Sequence, residues 1–84
     1  MPKEDELAEL ISLLEKLSVT VKYHSGNFRG GLVRYDNMNI FYLNRKADPQ
    51  VKINNILSEL KQMKIPDELM TNTIRTLLAD FDGQ

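Results

Sequence analysis

The residues best equipped for chemistry lie between Tyr23 and Lys46, a stretch that holds five of the six aromatic residues and the only histidine. Phe28, Tyr35 and Tyr42 offer flat rings on which unpaired bases could stack, and Arg29, Arg34, Arg45 and Lys46 offer cations for phosphates. Charge along the chain singles out the same stretch. The overall formal charge of -1 conceals a net of minus three over Met1 to Val21, plus four over Lys22 to Lys52, and minus two over Ile53 to Gln84. A basic centre between acidic ends can steer an anionic partner. Single-stranded or structured RNA suits such a hairpin better than duplex DNA. The acidic sequence pI of about 5.7 and the lack of an RNP-like signature weigh against nucleic acid. The bland reading of the same residues is a solvated face, with Tyr23 and Phe41 in the core.

Catalytic apparatus is absent from the sequence. A lone His24 cannot build a histidine-rich metal site or an imidazole relay, and at the end of a strand it reads as a polar tip. Ser12, Ser18, Ser25 and Ser58 sit in no Gly-x-Ser-x-Gly elbow. Asp5, Glu6, Glu9, Asp80 and Asp82 read as dipole-matching and solubilising groups, not a glycosidase pair. The glycine-rich run from Gly26 to Gly31 could present backbone amides to an anion beside Arg29. It lacks the Gly-Lys-Ser/Thr ending of a phosphate loop and leads into a strand where that motif needs a helix. No enzyme, cofactor or metal is expected.

Cysteine is missing altogether, which removes disulfides and thiolate chemistry and suits a reducing, cytoplasmic setting. The acidic N-terminus does not resemble a signal peptide, and no apolar run approaches the ~20 residues of a membrane span. A soluble protein of one domain over residues 1–84 is expected, with fraying at 1–4 and 82–84. A chain of this length buries only about two-thirds of its unfolded surface, so its core is thin and a partner could add stability.

Hydrophobic spacing supplies the elements that position the candidate residues. Leu7, Leu10, Ile11, Leu14 and Leu17 recur at three and four residues and predict a helix from about Lys3 to Leu17. Val19, Val21 and Tyr23 then alternate with Thr20, Lys22 and His24, the period of a strand. After the loop, Leu32 to Tyr35 and Asn39 to Leu43 predict two more strands around Asp36-Asn37, residues that tolerate positive φ. A two-residue turn there sets Val33 opposite Ile40 and Leu32 opposite Phe41; a four-residue loop keeps the same faces. Asp48-Pro49 opens a second helix ending near Lys64, and Pro66-Asp67 opens a third that Gly83 closes. The fold class is α+β: helix, three-stranded antiparallel sheet, helix, helix. Both hairpin faces are apolar, and the helices are expected to cover one fully and the other partly.

Arg29-Gly30-Gly31-Leu32-Val33-Arg34, then Ile40-Phe41-Tyr42-Leu43-Asn44, then an Asp-Pro helix rich in leucine, resembles a family of small uncharacterised bacterial proteins. These share a Gly-Gly hairpin followed by two helices. The resemblance spans roughly Val19 to Leu78 and implies the fold without implying an activity. More distantly, the hairpin and helix are similar to compact zinc peptidases. Those enzymes need His-Glu-x-x-His, and Ile56-Leu57-Ser58-Glu59-Leu60-Lys61 carries no histidine, so their activity does not transfer. The leading expectation is a protein-interaction or self-associating module. It would use the part-covered sheet face, with Met63 and Met70 as adaptable apolar surface. Nucleic-acid binding is the alternative.

Overall fold

The computed structural model describes residues 2–81. Helix α1 (Lys3–Lys16) carries Glu4, Asp5 and Glu6 in its first turn and buries Leu10, Leu13 and Leu14. Acidic groups suit the positive end of the helix dipole. Ser18, in the left-handed region at φ 65°, turns the chain out of the helix, and its N–H donates to the Glu15 carbonyl at 3.0 Å. Strands β1 (Val19–His24), β2 (Gly31–Tyr35) and β3 (Met38–Asn44) follow.

The sheet departs from the sequence expectation. It is mixed, not antiparallel, with spatial order β1-β3-β2 and β1 running parallel to β3. Two local features accommodate this order. Asp36 and Asn37 sit at φ 52° and 65°, the geometry of a tight two-residue turn, which places β3 beside β2 with Val33 opposite Ile40 and Leu32 opposite Phe41. The six residues 25–30 can span about 20 Å, and stepping over one intervening strand needs about 10 Å. The loop is thus long enough to carry β2 past β3, which leaves β1 and β2 as the edges. The central position suits Ile40-Phe41-Tyr42-Leu43, the one strand apolar on both faces.

Helix α2 (Pro49–Leu60) starts as predicted, with Asp48 preceding Pro49 at the first helical position, although the Asp48 side chain makes no capping bond. It ends before the expected Lys64. The N–H groups of Gln62 and Met63 donate three residues back, to Glu59 and Leu60, and Pro66 disfavours helix at Ile65. Beyond it lies a single 3-10 turn, Asp67–Leu69. Helix α3 (Asn72–Asp80) begins later than Pro66 suggests, because Thr71 caps it: its Oγ1 accepts from the Ile74 N–H at 3.1 Å and donates to Glu9 Oε2 at 2.9 Å, tying α3 to α1. Gly83, Asp82 and the expected C-terminal fraying lie outside the described residues.

All three helices stand on one face of the sheet. Leu10, Leu13 and Leu14 of α1, Ile53, Ile56, Leu57 and Leu60 of α2, and Ile74 of α3 form one core with Val19, Phe41 and Leu43. Strand partners share a face, so Val21, Leu32 and Tyr23 also point to that side. Tyr23 lies near the end of β1 and is 41% exposed, which corrects its assignment to the core; Phe41 is fully buried. The opposite face carries Thr20, Lys22 and His24 from β1, Val33 and Tyr35 from β2, and Met38, Ile40 and Tyr42 from β3. No described helix covers it, so the expected partial cover from the helices is not found among the described residues. No described helix is long and apolar enough to cross a membrane.

Candidate functional site

Where the loop climbs over the end of β3, two asparagine side chains fix it. Asn44 Nδ2 donates to the carbonyls of Gly26 and Phe28, each at 2.8 Å, while its Oδ1 accepts from the Lys46 N–H at 3.1 Å. From the helical layer, Asn55 Nδ2 donates to the Arg29 carbonyl at 2.7 Å. Gly30 completes the crossing with φ at +88° and its Cα pressed against β3, so close that a Cβ would lie 2.6 Å from the Tyr42 carbonyl oxygen. The segment is thus a built structure, not only the turn that its composition suggests.

This fixation creates a groove of about 590 Å³ between the loop and the open face. Phe28, Val33 and Tyr42 supply apolar walls, and Arg29, His24 and Ser25 supply polar groups. The His24 and Tyr42 rings lie with centroids 5.2 Å apart at 58°, a tilted aromatic contact. No carboxylate lies within ion-pair distance of Arg29 among the described residues. Nor do the described residues contain a cluster of three His, Cys, Asp or Glu side chains suited to a metal.

The seven candidate binding residues divide among three places. Phe28, Arg29 and Tyr42 meet in the groove. Arg45 and Lys46 lie just beyond the same end of β3, where the Arg45 N–H donates to the His24 carbonyl at 2.8 Å. Tyr35 sits at the far end of the open face opposite Met38, and Arg34 shares the helix-side face with Asn39. Asn39 and Arg45 are six residues apart along the strand, or about 20 Å. Arg34 and Arg45 therefore belong to no common cationic patch.

A second feature occupies the hairpin end of the open face. Val33 is 46% exposed, Tyr35 70% and Met38 50%, and the register places them around Ile40. Sequence reasoning missed Val33 and Met38 as site residues because their exposure depends on every helix choosing the other face, and it missed Ile40, which is buried between them. Asn44 and Asn55 carry no signal in sequence, since their partners lie 16 to 26 residues away. Met63 and Met70 line a separate groove of about 420 Å³ with Leu60, Ile65 and Leu78 in the helical layer, apart from the open sheet face. Comparison with protein-family models, curated proteins and solved structures finds no match, which leaves the geometry of the groove and the open face to carry the functional reading.

Proposed function

We propose that the protein is a non-enzymatic module that pairs with a second copy of itself through the uncovered face of its sheet. One observation carries this reading: Val33, Tyr35 and Met38, three of the six exposed large hydrophobic residues, join Ile40 in a single patch at one end of that face. The patch holds no formal charge. Lys22, the one fully charged side chain on the face, lies on the far edge strand β1, so two copies related by a two-fold axis meet apolar to apolar with no like charges opposed. Removing these side chains from water also supplements a thin core. Absence of cysteine supports a reducing, cytoplasmic setting for such a module.

Area limits the affinity. Three strands spaced about 4.8 Å apart and up to seven residues long make a footprint of about 14 by 23 Å, less than the ~800 Å² per partner of a standard interface. The dimer should be weak, with a dissociation constant of about 10 to 500 µM, and sedimentation velocity over about 5 to 500 µM should show its mass rise with concentration. Val33→Glu with Tyr35→Glu should give a monomer at every concentration with unchanged circular dichroism, because both side chains are already exposed. A wild-type monomer at the highest concentration, or a dimer that survives both glutamates, refutes the reading.

A second reading has one observation in its favour: Tyr35, Tyr42 and His24 share the open face with Lys22, and none of the strand residues on that face is acidic. Single-stranded RNA could stack there. Displacement of Arg34 to the other face removes a phosphate contact that this reading needs. Fluorescence anisotropy with labelled single-stranded RNA at two salt concentrations should therefore show no salt-sensitive micromolar binding; steep weakening with salt would install this reading in place of the first.

A further inference from the structure

The geometry points to the groove beneath the 25–30 loop as a binding site for a small planar aromatic carboxylate. This goes beyond self-association: the groove lies toward the opposite end of the sheet face and shares only Val33 with the hairpin patch. The argument starts from shape. A groove of about 590 Å³ falls within the 300–1,000 Å³ typical of small-molecule sites. Its walls are flat or branched apolar side chains, Phe28, Val33 and Tyr42, and the tilted His24–Tyr42 pair extends the aromatic surface. A planar ring fits such walls better than a flexible chain, because stacking and edge contacts need little ordering of either side.

Charge then selects the ligand's polar group. Among the described residues, Arg29 is the one fully charged side chain lining the groove, and no acidic residue lines it. The guanidinium has no carboxylate partner among the described residues. One guanidinium matches one carboxylate through two parallel N–H donors. A phosphate dianion would call for more cations or a helix N-terminus, and residues 25–30 lead into a strand. The ligand is therefore a monoanion with a flat apolar body.

Preorganisation is the third strand of the argument. The carbonyls of Gly26, Phe28 and Arg29 are each held by an asparagine amide, so the backbone that carries Phe28 and Arg29 is fixed before any ligand arrives. A preformed wall lowers the ordering cost of binding.

The test is a titration of the 15N-labelled protein with 2-naphthoate, followed by amide chemical shifts, with neutral 2-naphthalenemethanol as control. Saturable shifts confined to residues 24–33 and Tyr42 are expected, with the alcohol at least about tenfold weaker. Arg29→Gln, at an exposed position that should not affect folding, should weaken naphthoate at least about tenfold, whereas Arg34→Gln on the other face should leave it unchanged. Absence of saturable shifts, equal binding of the alcohol, or full affinity in Arg29→Gln would overturn the site. Because the readout is local and Arg29 lies outside the hairpin patch, a monomeric protein would leave this result intact.

Discussion

Replacing Phe41 by alanine should cost about 3 to 5 kcal/mol, enough to leave a domain of this size largely unfolded at room temperature. Phe41 is fully buried at the centre of the middle strand, between Leu32 of β2 and Val21 of β1, and packs in the core that all three helices share. The ring cannot be replaced by movement from one side alone, because its neighbours are fixed by ladders on both flanks. Urea denaturation followed by circular dichroism should show the loss as a transition shifted to very low denaturant. Tyr23→Ala provides the contrast. Tyr23 points to the same side of the sheet but is 41% exposed, so its loss should cost no more than about 1 kcal/mol. Equal destabilisation by the two substitutions would mean that the helices cover β1 to its end and that Tyr23 belongs to the core.

That contrast shows where the sequence was informative and where it was not. Element identity followed from spacing: the leucines of α1, the alternation of β1 and the Asp48-Pro49 opening of α2 all fall where local periodicity places them. The hairpin register followed from Asp36-Asn37 because positive φ at both residues has few solutions. Strand order was harder, since a loop of six residues can reverse the chain beside its own strand or step across another, and composition does not distinguish the two. One local signal did favour the true order. Ile40-Phe41-Tyr42-Leu43 is apolar on both faces, as a central strand must be, whereas Thr20, Lys22 and His24 mark β1 as an edge.

The candidate site was legible in its residue types and obscure in its arrangement. Phe28, Arg29 and Tyr42 were recognisable as aromatic and cationic groups close in sequence, and the fold brings them together. Arg34 and Tyr35 are adjacent in sequence, yet the strand pleat sends them to opposite faces, and the length of β3 separates both from Arg45 and Lys46. A block of charge along a chain becomes a patch only where topology folds it onto one surface. The open face illustrates the converse: its apolar residues were expected to be partly covered, and they form a patch only because all three helices take the other side.

Gly30→Ala should cost about 2 to 4 kcal/mol, and the cause should be separable into two parts. Gly30 adopts φ +88°, which an L-residue reaches only under strain, and its missing Cβ would stand 2.6 Å from the backbone oxygen of Tyr42. That oxygen belongs to the central strand and cannot retreat without disturbing the β3 ladder. Gly31 separates strain from collision: its φ of +150° is also strained for alanine, but a Cβ there meets nothing within 4 Å. Gly31→Ala should therefore cost only about 1 kcal/mol, and the difference between the variants measures the contact with Tyr42. Equal losses would show that conformational strain alone governs the crossing. Where Gly30→Ala retains enough folded protein for amide exchange, the earliest loss of protection should appear at the Tyr42 end of β3, because the backbone that must move to admit the methyl group is the backbone on which the loop rests.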